Sequence, residues 1–168
     1  AYGVLNTTIN TSGNGSGEAP ALGNDGDSFD FLGFEQVPAI HNDNDSVVIN
    51  ATANNWSWNG NAEAIGLDRS SLDTGIGNDD IKINAHADGA NTNAWAMRDS
   101  DIDTGSGDDY VSLNASTNSR RWDPAYGAQD SSIDLGSGND SLFINASAAG
   151  STWGTIAAYG ALNTKINT

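Results

Sequence analysis

Apolar and polar residues alternate along most of the chain with period two rather than 3.6. The clearest runs are Ile81, Ile83, Ala85 and Ala87; Val111, Leu113 and Ala115; and Leu142, Ile144, Ala146 and Ala148. Each predicts a strand with a small apolar inward side, because strand neighbours point to opposite faces. A second set of strands is expected over 61–73, 93–103 and 123–134. Their inward parity carries Ala94, Ala96, Ser100 and Ile102, or Ala125, Gly127, Ser131 and Ile133. The chain reads as all-β. Small inward residues on two long strands per repeat predict a thin core and a flattened cross-section.

The strands recur with the turns between them. "SLDTGIGNDDIKINAHAD" (71–88), "SDIDTGSGDDYVSLNAST" (100–117) and "SIDLGSGNDSLFINASA" (132–148) are near copies. "HNDNDSVVINATA" (41–53) keeps the pattern without glycines and puts Asp45 in the closing position, while "LGNDGDSFDF" (22–31) is a weaker copy with Asp27. Repetition at 20–50 residues signals a solenoid. A longer period lies above it: "AYGVLNTTINT" (1–11) returns as "AYGALNTKINT" (158–168), offset by 157 residues with nine of eleven positions identical. The expected fold is a right-handed parallel β-solenoid of about 31-residue coils. Residues 1–168 form one segment of it, with five turns to a 157-residue unit and the start of the next unit in a tandem array. Residues 11–45, with "TSGNGSGEAPALGNDGD", read as an irregular loop or imperfect rung.

The outward parity is ordered too. Asn50, Asn84, Asn114 and Asn145 share one register and predict an Asn ladder; Tyr2, Trp95, Tyr126 and Tyr159 share another, with Glu63 interrupting the row. Trp58, Trp122 and Trp153 fall near a bend. Such rows either staple rungs together or form a binding or lateral-contact surface.

Charge narrows the partners. The net charge is −16, and of 22 acids only Glu18, Glu35 and Glu63 are Glu. Asp with Gly favours turns. Such acidity repels nucleic acid and anionic membrane surfaces, and makes cations the natural partners. There is no Cys, so disulfides are excluded. No apolar run nears the roughly 18 residues of a membrane span. The opening residues show no signal peptide and read as a cut into something longer.

The glycine turns carry the candidate chemistry. Their pattern is x-G-x-G-x-D-x-U-x, with U a large apolar residue: Gly75, Gly77, Asp79 and Ile81; Gly105, Gly107, Asp109 and Val111; Gly136, Gly138, Asp140 and Leu142. Glycines permit positive φ, so successive carbonyls can turn inward. Ca²⁺ takes six to eight oxygens from carboxylates and carbonyls, and such a turn supplies both. Stacked carboxylates about 4.8 Å apart repel by roughly 0.9 kcal/mol in water and about 3.5 at an effective dielectric of 20, so a column of them needs cations. Asp45 and, more weakly, Asp27 join this column. Asp73, Asp103 and Asp134 precede each turn and are weak candidates for outer ligands. Asp80 and Asp108 read as solvated. A plain Gly-Asp turn without metal is the alternative.

These turns resemble the calcium-binding G-G-x-G-x-D-x-U-x nonapeptide of RTX (repeats-in-toxin) proteins. The first glycine is replaced by Thr74, Thr104 or Leu135, and the spacing of about 31 residues replaces the usual tandem 18. One ion column is therefore expected instead of two. The resemblance implies a bacterial protein exported through a one-step route, unfolded in low cytosolic calcium and folding outside.

Other chemistry is weakly supported. His41 and His86 lie in different repeats without Cys, which disfavours zinc. No G-x-S-x-G elbow occurs, the acid pairs follow the repeat rather than breaking it, and no Lys follows the glycines as a phosphate loop requires. The N-x-S/T sequons at Asn6, Asn50, Asn114 and Asn145 fit an Asn-rich composition. The expected role is non-enzymatic: a calcium-stabilised structural segment of a secreted bacterial surface filament, adhesin or matrix protein, associating end to end. Alternatives are an ice- or glycan-binding module using the outward rows, or a noncatalytic appendage of a secreted enzyme.

Overall fold

The computed structural model describes residues 1–5, 8–10, 44–57, 60–150 and 156–168. These form twelve strands and no helix: β1 (Tyr2–Leu5), β2 (Thr8–Asn10), β3 (Ser46–Asn55), β4 (Asn61–Asp68), β5 (Ser71–Asp73), β6 (Asp80–Arg98), β7 (Asp101–Asp103), β8 (Tyr110–Gln129), β9 (Ser132–Asp134), β10 (Ser141–Gly150), β11 (Ile156–Leu162) and β12 (Lys165–Asn167). All pairings are parallel. The chain is a β-solenoid.

Each coil has three faces. The first stacks β3, the front half of β6, the front half of β8, and β10. The second stacks β1, β4, the rear halves of β6 and β8, and β11. The third is short and stacks β2, β5, β7, β9 and β12. This third face was read from sequence as the tail of a longer strand. It is set apart by a corner at which Arg69, Asp99, Asp130 and Asn163 take φ of 48–50°. The next residue at that corner is Ser70, Ser100, Ser131 or Thr164. Each hydroxyl donates back to the carbonyl two residues earlier, and Ser100 and Ser131 also accept the amide of the preceding rung.

The inward parities are as expected. Ile81, Ile83, Ala85, Ala87, Ala94, Ala96, Ile102, Val111, Leu113, Ala125 and Ile133 are all buried to 2% exposure or less. The first two faces pack closely. A β-carbon at Gly66 would strike Ile83 Cγ2, and the same holds for Gly3 with Ile49 and Gly127 with Ile144. Where the registers put Leu113 in place of Ile83, they put Ala96 in place of Gly66. Leucine branches one carbon further from the backbone than isoleucine, which leaves room for the methyl.

Two expectations need correction. The 157-residue offset spans four coils, not five: the row Tyr2, Ile65, Trp95, Tyr126, Tyr159 steps directly from β1 to β4 with no strand between. Residues 11–43, with Asp27 and His41, lie outside the described residues. That row is also interrupted by Ile65 and not by Glu63, which pairs with Asn93. Matching "NAEA" to "NAWA" misaligns the strands by two residues. Such a slip keeps every side chain on its proper face, so the hydrophobic pattern cannot detect it.

Candidate metal centre

The glycine turns stack along one edge. Gly75, Gly105 and Gly136 have φ of 87°, 80° and 74°, and Gly77, Gly107 and Gly138 have φ of 143°, 139° and 153°. A β-carbon at Gly105 would fall on the carbonyl oxygen of Gly75, and one at Gly107 on that of Gly77. The glycines therefore let the turns stack at strand spacing. Backbone bonds join the turns, with Ser106 N donating to Gly75 O at 2.8 Å and Ser137 N to Gly105 O at 2.9 Å. The carbonyls expected to turn inward toward an ion are thus aligned along the solenoid axis.

Beside the glycines run two side-chain ladders. Asp79 Oδ1 accepts Asp45 N at 2.8 Å, Asp109 Oδ1 accepts Asp79 N at 2.8 Å, and Asp140 Oδ1 accepts Asp109 N at 3.0 Å. Each carboxylate reaches back one rung. The residue before it reaches forward: Asn44 Oδ1 accepts Asn78 N, Asn78 Oδ1 accepts Asp108 N, and Asp108 Oδ1 accepts Asn139 N, at 2.7–3.0 Å. Paired Asx residues therefore satisfy amides that the turn would otherwise leave open. Asp108 is exposed but bonded, not merely solvated. Asp80 likewise bonds to Lys82. The forward ladder escaped the sequence reading, although an Asn or Asp before Asp45, Asp79, Asp109 and Asp140 was its visible signal.

The fit of the edge to a cation rests on its buried carboxylates, Asp109 above all. Asp45, Asp79 and Asp109 are 4%, 2% and 2% exposed. Asp109 Oδ2 is buried and accepts no hydrogen bond, and a buried charge without a partner is costly. Hard oxygen donors of this kind, with carbonyls alongside, suit Ca²⁺. Among the described residues no three His, Asp or Glu side chains gather into one group. A bound cation would thus draw on carboxylates of successive turns and on backbone oxygen.

No protein-family model, curated protein or solved structure matches the chain.

Asp73, Asp103 and Asp134 stand one above another on the third face, on separate strands ahead of the glycine turns. Burial, with the Asp103 charge added, pushes the Asp73 carboxyl up. Asn167 Nδ2 donates to Asp134 Oδ1 at 3.0 Å, and Gly136 N donates to the same oxygen at 3.0 Å.

The remaining rows are bonded to themselves. Asn84 Nδ2 donates to Asn50 Oδ1 at 2.9 Å and Asn114 Nδ2 to Asn84 Oδ1 at 3.1 Å. Trp95, Tyr126 and Tyr159 stack with centroids 5.5 and 5.1 Å apart and planes within 8°, and Arg98 covers Trp95 at 4.9 Å. Buried Asp68 anchors Arg98 through two bonds of 2.8 and 3.0 Å. Burial works to raise the Asp68 pKa, but the bonds and charges of Arg98 and Arg69 hold it below the usual value. His86 lies between Ser116 Oγ (2.7 Å) and Asp88 Oδ2 (3.1 Å). This trio sits mid-strand, where ladders on both sides of β8 engage the backbone, so no amide is aimed at a developing oxyanion.

Proposed function

We propose that this chain is a structural segment of an extracellular bacterial filament, adhesin or matrix protein, stapled by Ca²⁺ along its glycine edge and associating end to end. One observation carries the calcium reading. Asp109 is buried between the Asp79 and Asp140 rungs with an oxygen that accepts no hydrogen bond, in a chain of net charge −16. The likeness of the turns to RTX repeats supports the same ion and an extracellular setting. The stacked ring faces and bonded Asn amides support a stapling role for the outward rows over a glycan- or ice-binding one, because their binding groups are already engaged with one another.

The test is thermal melting followed by circular dichroism in calcium and in EGTA. At a hundred times its dissociation constant, a single site adds about 2.7 kcal/mol. Identical melting in both conditions removes calcium from the reading. Electron microscopy addresses the filament: four rungs at about 4.8 Å give an axial repeat near 19 Å.

A further inference from the structure

The near-identity of residues 1–11 and 158–168 acquires a meaning once both are placed in the coil. β1 lies on β4 with Tyr2 opposite Ile65, Val4 opposite Leu67 and Leu5 opposite Asp68. β2 lies on β5 with Thr8 opposite Ser71, Ile9 opposite Leu72 and Asn10 opposite Asp73. β11 and β12 use one backbone edge to pair with β8 and β9. Their other edge repeats, residue for residue, what β1 and β2 present to β4 and β5, apart from Ala161 for Val4 and Lys165 for Thr8. We propose that residues 158–168 dock on β4–β5 of a second copy of this chain, displacing β1 and β2 of that copy from the seat they occupy in the single chain. The inference rests on the end-to-end association above and specifies its register: Tyr159 opposite Ile65, Lys165 opposite Ser71, Ile166 opposite Leu72.

Four observations support this seat. Gly160 is the first. Gly3, Gly66 and Gly127 have no room for a β-carbon, yet one at Gly160 would meet only Ile144 O at 3.9 Å. Among the described residues nothing in its own chain requires glycine there, whereas the seat of Gly3 does, because Ile49 presses on it. Ile166 is the second. It continues the inward row of Leu72, Ile102 and Ile133, which are at most 1% exposed, but is itself 43% exposed. Lys165 is the third: it has no ion pair among the described residues of its own chain, and the seat would place it on the face carrying Asp73, Asp101 and Asp103. Asn167 is the fourth. It already caps Asp134 and would stand beside Asp73 of the second copy, a neutral residue between two columns of three carboxylates.

Because the chain has no Cys, cross-linking can read the register directly. Full-length chains carrying Lys165→Cys are mixed with chains carrying Ser71→Cys or, separately, Asp101→Cys, and oxidised. Asp101 is the more exposed position, so random encounter favours it. The proposed seat instead makes the Ser71 cross-link form about ten times faster through effective concentration. Gly160→Val is the second arm: with room in its own chain, it should melt like the parent as a monomer and lose the cross-link. Equal rates at the two positions, or a cross-link that survives Gly160→Val, overturn the proposal. Fibres that form without the Lys165–Ser71 cross-link overturn this seat alone, while absence of association at any concentration overturns both this and the filament reading.

Discussion

The glycine edge and the opposite edge differ in one respect that accounts for the whole period of the protein. From Asp73 to Asp80, Asp103 to Tyr110 and Asp134 to Ser141 the glycine edge takes seven residues each time. At the opposite edge the equivalent spans are 55–62, 89–92, 119–123 and 150–156, which is seven, three, four and six residues. The closing aspartates are spaced 34, 30 and 31 apart, and these differences match the first three spans. The serine corner is as constant as the glycine edge. Length is constant where the same side-chain bond recurs at every rung, and drifts at the opposite edge, where Ser119 Oγ donates to Ala90 O and Asn91 Nδ2 to Gly60 O and the residues differ from rung to rung. A stapled turn cannot gain a residue without moving every bond in its column.

The comparison can be broken most severely at Gly107. Gly107→Ala needs a β-carbon at φ 139° on top of the Gly77 carbonyl, and a loss of about 3 kcal/mol is expected in urea unfolding. Asp109 comes next. Asp109→Ala removes the acceptor of a buried amide and should cost about 2 kcal/mol. Asp109→Asn keeps an oxygen for Asp79 N but removes the charge. It should lose much less without calcium, yet show a flattened calcium response in melting. Equal calcium responses for Asn and Asp at this position would mean that the carboxylate serves the ladder alone. Asp108→Ala breaks a bond of the forward ladder at an exposed site, and about 1 kcal/mol is expected.

A smaller effect is expected from the third face. The folded-state pKa of Asp73 is raised by burial and by Asp103. Its neutral form therefore favours the fold at low pH, and that advantage is lost as pH rises from the usual carboxylate range through the raised value. Asp73→Asn should melt slightly above the parent at neutral pH and level with it at strongly acid pH. Asp68 has the opposite sign: its lowered pKa gives stability above the usual range that disappears as pH falls through the folded value.

Much of this architecture was legible because it is periodic. The alternation at Ile81–Ala87 and its copies gave the inward side, the Asn row gave a bonded ladder, and the three glycine turns gave one stacked edge. What escaped was whatever the pattern leaves unchanged. The corner at Arg69, Asp99 and Asp130 uses left-handed backbone without glycine, so it carried no turn signal and hid the third face. The two-residue slip at Glu63 preserved facing, and only backbone register exposes Ile65. The fifth turn was read from the weak copy at 22–31; the direct pairing of β1 with β4 leaves four coils in the offset, and Asp27 lies outside the described residues.

That direct pairing has one more consequence. Tyr2 lies opposite Ile65, 63 residues on, whereas Ile65, Trp95, Tyr126 and Tyr159 follow one another at 30, 31 and 33 residues. Bringing the first rung onto the second therefore closes about twice the length of chain, at an extra entropic cost of about 0.6 kcal/mol. Contacts distant in sequence form late, so the coils from β4 onward assemble first and β1 and β2 join a stack that already exists.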